Sequence, residues 1–373
     1  MANTFDLDKN IINGKCSYLL EYYNKAKLGH KVLNAPYDLR GLIERGEIVL
    51  IGEELMICLE NLVSDLENPD YYYESSDANF KIEFIETFCK HTKSPFYGKP
   101  FLLELWEKAL IEVIYSFKWA DTGLRRFKKV ILLISRKNGK SALAGAITMT
   151  EFICGNGGAD LICSSNDDNQ ASIIFDEINT MREIFDPNGK RTHKNQRGMF
   201  NLKNRSTIKK LSDRTKNKEG RNIDVAVLDE SHEMKDNIIA KSIEQSQSTK
   251  DEPLFINITT EGFVKDGYLD IELNYAREVL NGEREDPDLL PWLYTQDCEE
   301  EIYQDEFSWY KSNPNLGVSK KIAYLRSQIR KAQAEKSERV FVLAKDFNIK
   351  QTSAAKWLDE SDIANEELFK LED

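Results

Sequence analysis

Two groups of residues in this chain of 373 have the types and spacing for phosphate chemistry. The first is Ser135-Arg136-Lys137-Asn138-Gly139-Lys140-Ser141. A Gly-Lys-Ser triplet alone is common, so its setting decides. It follows the apolar run Val130 to Ile134 and opens a stretch that reads as a helix from Ser141, so the backbone N–H groups of the turn and the positive end of the helix would face an anion. Lys140 would then bind the β- and γ-phosphates of a nucleotide, and the Ser141 hydroxyl would hold Mg²⁺. Ile134 stands where the strict G-x-x-x-x-G-K-[ST] pattern has its first glycine, which leaves a capped surface turn as the alternative.

The second group is Asp229-Glu230, two adjacent carboxylates closing the buried-strand run Val225-Ala226-Val227-Leu228. In a nucleotide site Asp229 supports Mg²⁺ and Glu230 orients and deprotonates the attacking water. Alone, the run reads as a strand ending in a polar turn; paired with the phosphate loop, with another βα unit between them, it reads as the second half of one site. Thr259-Thr260-Glu261-Gly262 ends a further strand and would sense the γ-phosphate. Arg136, inside the loop, is a candidate for stabilising transition-state charge or an ordinary surface arginine. His232, two positions past Glu230, reads as a structural histidine, with contact to the site as the alternative.

These groups need a scaffold that brings strand ends together. From about residue 119 the pattern alternates short β-branched runs with helices, the grammar of a mostly parallel sheet with crossover helices. Strands are predicted at 128–134, 159–165, 222–229 and 253–260, with helices at 141–153 and 170–185 between them. An edge strand is predicted at 203–211. Before the sheet, helical spacing runs through 39–67, 80–91 and 102–117; after it, a charged helix is predicted over 322–336.

The formal charge of −12 argues against a protein that coats nucleic acid. Between Lys190 and Arg221 the balance reverses, with twelve basic residues against Asp213 and Glu219. A basic loop or ribbon on an acidic body suits transient DNA contact, with Lys209, Lys210 and Arg214 as candidates; a solvated surface without a partner is the alternative. The six cysteines are scattered without C-x-x-C pairs, so neither disulfides nor zinc is expected. No apolar run is long enough for a membrane span and the start is too polar for a signal peptide, so a cytosolic protein is expected.

Taken together, these residues resemble the large terminase subunit of tailed bacteriophages and prophages, whose phosphate loops lack the first glycine as Arg136-Lys137-Asn138-Gly139-Lys140-Ser141 does. The resemblance runs from the helical start almost to the end. It includes Leu103-Glu104-Leu105-Trp106-Glu107 in the place of an adenine-holding Leu-x-x-Trp-Gln segment, with Glu107 replacing the glutamine, and Gln170-Ala171 after the second strand. It continues through Thr259, Thr260 and Gly262 as a coupling motif and through Trp309, Asn313 to Gly317, Phe341, Asn348, Gln351 and Trp357 as a connector.

The resemblance implies an α/β P-loop NTPase of the additional-strand, catalytic-glutamate type with an N-terminal helical region. It implies ATP and Mg²⁺ as ligands and double-stranded viral DNA, a portal protein and a small terminase subunit as partners. A homo-oligomeric ring on the procapsid in the host cytoplasm completes the expectation. Domain boundaries are expected at 1–95 (helical), 96–300 (ATPase) and 301–373 (connector). The family's C-terminal nuclease is expected to be missing, because residues 359–373 read as an acidic helix without strand-borne metal ligands. Two other readings stay open, a helicase-like translocase and a DNA- or portal-docking module that does not hydrolyse nucleotide.

Overall fold

Short apolar runs buried on both faces need neighbours on either side, and they find them in one central sheet. A computed structural model of the chain describes residues 18–32, 38–211 and 221–351. Before the sheet come helices α1 (Tyr18–Val32), α2 (Leu39–Glu44), α3 (Glu53–Asp65), α4 (Ser76–Phe88) and α5 (Leu105–Ser116), with an antiparallel ribbon of β1 (Tyr71–Tyr73) and β2 (Phe117–Trp119). There follow β3 (Lys129–Leu133), α6 (Lys140–Cys154), β4 (Asp160–Ser165), α7 (Asp168–Phe185), β5 (Thr192–Asn195), β6 (Gly198–Asn201), β7 (Thr207–Leu211) and β8 (Ile223–Asp229). The described chain continues with α8 (Ile238–Ser246), β9 (Leu254–Thr259), α9 (Tyr268–Leu280), β10 (Leu289–Leu293), α10 (Glu300–Gln304), α11 (Ile322–Ala334) and α12 (Lys336–Phe347).

The sheet has the order β10-β3-β9-β8-β4-β7-β6-β5. Neighbours from β10 to β7 pair in parallel; β6 and β5 return antiparallel at the far edge. Strand β9 lies between the phosphate-loop strand β3 and the acidic strand β8, although it follows both in sequence. This inserted strand is the additional strand that the sequence reading anticipated.

Three elements depart from expectation. β7 is not an edge strand, since β4 and β6 flank it; its Thr-Ile-Lys-Lys-Leu pattern alternates well enough for an edge but also fits a strand covered on one face. The helical spacing over 39–67 is broken by Gly46, whose φ of 65° takes the chain out of the helix, and by the buried residues Ile48, Leu50 and Ile51 that lie extended against the core. β10 was not foreseen because Pro291 interrupts it; at the sheet edge the missing N–H costs no ladder bond on the open side.

One hydrophobic core runs from Leu19 in α1 through the sheet to Tyr294 after β10, so the N-terminal helices pack into the same core as the strands. Residues from Ile302 to Phe347 build a second, smaller cluster around Trp309, Leu325 and Leu343.

Candidate active site

Parallel strands place all their carboxyl ends at one edge, where β3, β8 and β9 deliver the loop, the carboxylates and the threonines. Ile134 is fully buried and donates its N–H to Thr259 O at 3.0 Å, so it extends the β3–β9 ladder by one residue where a glycine would open the loop earlier. The loop proper begins at Ser135. Lys137 (φ 67°) and Gly139 (φ 85°) take left-handed conformations that fold it over, and α6 starts at Lys140.

Lys140 is buried and donates to Asp229 Oδ1 at 2.8 Å and Glu230 Oε1 at 2.6 Å. Burial works against its charge, but the two carboxylates outweigh it and raise its pKa. Ser141 Oγ donates to Asp229 Oδ2 at 3.1 Å. Adjacent residues of a strand point to opposite faces. Asp229 and Glu230 converge on one ammonium because Glu230 turns left-handed at φ 56°, a conformation that costs a non-glycine residue about 1 kcal/mol or more.

Strand β9 closes the cluster. Thr259 and Thr260 are fully buried, and the Thr260 hydroxyl has no hydrogen-bond partner among the described residues. Gly262 lies against His232: a Cβ there would meet the His232 Cβ at 2.7 Å, so a glycine is required here by packing. Ser165 Oγ, at the end of β4, donates to Asp229 O at 2.9 Å and to Gln170 Oε1 at 3.2 Å. Ser141 Oγ and Asp229 are hard oxygen donors of the kind Mg²⁺ takes alongside nucleotide phosphates, so the residues present fit that metal.

The loop is braced from below by residues that sequence reading assigned only to a connector. Asn138, fully buried, donates to Ser135 O at 3.0 Å and to Asn313 Oδ1 at 3.1 Å, and accepts from Asn315 N at 3.0 Å. Asn315 Nδ2 donates to Asn138 O at 2.9 Å. Lys320 donates to Asn313 Oδ1 and pairs with Asp346, both at 2.7 Å; burial nonetheless lowers its pKa. Arg136 N donates to Lys345 O at 3.0 Å, and the Arg136 guanidinium lies 5.3 Å from the centre of the Phe341 ring. Lys345 Nζ donates to Glu261 O at 2.8 Å. Burial first, and the Arg136 charge second, bring the Lys345 pKa down to about 7.

Trp106 and Glu107 meet the loop differently from an open stacking platform. Trp106 is buried, edge-on to Tyr294, and donates from Nε1 to Asn315 Oδ1 at 2.8 Å. Glu107 caps its own helix, accepting from Glu104 N at 2.8 Å, while its other oxygen lies beside Gly139. Burial pushes the Glu107 pKa up to about 8, so at neutral pH it carries a proton and can donate as well as accept. Trp106 also lines a cavity of about 220 Å³ with Tyr22, Leu50, Tyr310, Pro314 and Leu316.

The basic stretch is a separate region. Lys209 pairs with Asp160 at 3.0 Å and Lys210 with Asp168 at 3.3 Å, so these two candidate DNA contacts are already engaged by carboxylates. Arg197 and Lys203, on and after the β5–β6 hairpin, are exposed. Arg214 lies outside the described residues.

The additional strand between β3 and β8, with the loop and carboxylates at its carboxyl end, defines a P-loop ATPase fold. Residues 105–278 match the family model described as terminase large subunit, ATPase domain, and residues 285–370 match that of the terminase large subunit, endonuclease domain. Across these two spans the chain is similar to the large subunit of terminases.

The crystal structure of the HK97 bacteriophage large terminase is similar over 73% of this chain and 55% of that one, with 24% identity and a TM-score of 0.62. The Thermus phage P74-26 large terminase ATPase domain matches at 20% identity over 36% of this chain and 60% of that chain, TM-score 0.31. The large terminase of the thermophilic bacteriophage D6E, in complex with ADP, matches at 15% over 54% and 44%, TM-score 0.36. No curated protein matches the sequence. The chain thus spans about half the length of the HK97 enzyme.

The second family match corrects one expectation. The chain was read as stopping short of the nuclease domain, yet residues 285–370 match that domain's model. The span begins with β10, which joins the ATPase sheet, so its start is hidden within the first fold unit. The acidic segment 359–373, on which the expectation rested, lies outside the described residues.

Proposed function

We propose that this chain hydrolyses ATP to drive viral DNA into a procapsid. The observation that carries the reading is the convergence of Lys140, Ser141, Asp229 and Glu230 at the end of a parallel sheet beside the start of α6. Lys140, turning from the carboxylates to the β- and γ-phosphates, counters their charge, helped by the α6 N-terminus and the N–H groups of residues 135 to 141. Ser141 and Asp229 would hold Mg²⁺, which when bound would supply further neutralisation of the phosphate oxygens. Glu230 takes the proton of the attacking water as it adds in line to the γ-phosphorus and the bond to the β–γ bridging oxygen breaks, releasing ADP and phosphate. Arg136 reaches transition-state charge once it leaves the Phe341 ring. The adenine base lies in the cavity walled by Trp106 and Pro314, and protonated Glu107, beside Gly139 of the loop, does the work of a glutamine. Thr259 and Thr260 report the state of the γ-phosphate along β9.

In this reading the partners are double-stranded DNA, a portal protein, a small terminase subunit and further copies of the chain in a ring, in the host cytoplasm. The exposed Arg197 and Lys203 are better DNA contacts than Lys209 and Lys210, whose charges are matched. A module that only held nucleotide would have no use for the strained turn that aims Glu230. The test is ATP turnover by the whole chain, with and without DNA, beside Glu230→Gln and Lys140→Ala. The expected result is nucleotide binding without turnover for Glu230→Gln; equal turnover by all three sinks the reading.

A further inference from the structure

His232 is a side chain that the mechanism above leaves unused. It lies in the 3₁₀ turn Ser231–Glu233 and is 4% exposed. Its Nδ1 is 3.1 Å from Glu230 Oε2 and 3.3 Å from Thr259 Oγ1, and its backbone N–H also points to Thr259 Oγ1 at 3.3 Å. Both neighbours of Nδ1 accept. Glu230 is a carboxylate, and Thr259 spends its own hydroxyl proton on Thr260 O at 3.0 Å. The ring proton therefore sits on Nδ1, which is hydrogen-bonded to Thr259 Oγ1 and lies 3.1 Å from Glu230 Oε2.

The ring is neutral. Burial and then the charges of Lys345, Lys140, Arg136 and Lys350 hold its pKa at about 2, against the opposing carboxylates of Glu230 and Glu233. A neutral donor fixes a carboxylate without quenching its basicity, whereas an imidazolium would lower it. Glu230 has two side-chain supports, Lys140 on one oxygen and His232 on the other. A γ-phosphate competes for Lys140 but offers nothing to His232.

We propose that His232 is a positioning residue that holds the Glu230 carboxylate toward the attacking water and ties its orientation to Thr259 on β9. The inference rests on Glu230 acting as the base. It gives β9 a grip on the catalytic group: a shift of Thr259 moves the ring hydrogen-bonded to it, and the ring, 3.1 Å from Glu230 Oε2, moves the carboxylate. Gly262 belongs to the same device, because only a residue without Cβ leaves room for the ring.

The experiment measures steady-state ATP hydrolysis and equilibrium nucleotide binding on the whole chain for wild type, His232→Phe, His232→Asn, Glu230→Gln and the Glu230→Gln/His232→Phe pair. His232→Phe is expected to lower kcat roughly 10- to 100-fold with nucleotide affinity within about twofold. His232→Asn, whose amide can place an N–H at the same point, recovers part of the loss. In the Glu230→Gln background the Phe substitution adds nothing. A wild-type kcat for His232→Phe, or losses that multiply with Glu230→Gln, overturns the proposal. If His232→Phe does not fold, Gly262→Ala displaces the same ring and must show the same split between kcat and affinity; an unchanged kcat there also overturns it. Failure of the wild type to hydrolyse ATP, or full activity of Glu230→Gln, removes the base assignment itself and is thereby distinguished from failure of the His232 role.

Discussion

Lysines at the phosphate loop and lysines on the far side of the sheet sit in opposite circumstances. Lys140 has a side chain 8% exposed and faces two carboxylates at once. Lys209 and Lys210 are each 33% exposed and each face one. An ammonium held between the buried Asp229 and the partly exposed Glu230 leaves two carboxylates unpaired if it is removed, while a surface pair in water is worth about 0 to 1 kcal/mol. The difference teaches that local density of basic residues does not measure how strongly each is engaged: the lone Lys140 is held by more carboxylates than either lysine of the denser stretch.

The contrast breaks or sharpens under substitution. Lys140→Ala carries the largest expected effect, a loss of roughly 100-fold or more in ATP turnover. It also lowers stability by about 3 kcal/mol, because Asp229 and Glu230 are left facing each other; denaturant unfolding reads the second part. A Lys140→Ala protein as stable as wild type would erase the distinction between the two regions.

Next in size is Glu107→Gln. With its folded pKa raised to about 8 from an ordinary 4.5, Glu107 keeps its proton in the folded chain while the unfolded chain releases it, so stability falls as pH rises from about 4.5 to 8. Below that window the two states bind the proton alike and the cost disappears. Gln keeps the helix cap without the penalty, so Glu107→Gln gains on the order of 1 to 3 kcal/mol at pH 8 and nothing near pH 4. Melting curves across pH check this; a constant gap refutes the buried proton.

Smallest is the basic region. Arg197→Glu with Lys203→Glu is expected to weaken DNA binding several-fold and to flatten its salt dependence, and Lys209→Glu with Lys210→Glu to do so less. Titrations at two salt concentrations compare the pairs. A larger effect from Lys209 and Lys210 would reverse the ranking that their carboxylate partners imply.

The sheet was legible where strands are apolar on both faces, as at Val130 to Ile134 and Val225 to Leu228, because no other element buries such runs. β10 escaped notice since Pro291 argues against a strand unless its edge position is known, and β5 and β6 because Thr-His-Lys-Asn and Gly-Met-Phe-Asn show no apolar alternation. Within the site, Lys140, Ser141, Asp229 and Glu230 were readable from order along the chain. The brace of Asn313, Asn315 and Lys320 was not: a polar residue's burial is decided by partners some 175 to 185 positions away, which no local pattern encodes. His232 lay in plain view two places beyond Glu230, but only the left-handed turn at Glu230 brings the ring back beside it.

The phosphate loop has its backbone held from two sides. Its entry is laced to β9 through Ile134 and Thr259, and its outer turn is gripped by the later span through Lys345 on Arg136 and Ser319 on Lys137. In mechanical terms it is a hinge pin passing through both leaves. A pull on the span after β10 reaches the loop through the main-chain hydrogen bond at Arg136 with no intervening side chain, so that span and the loop share one joint.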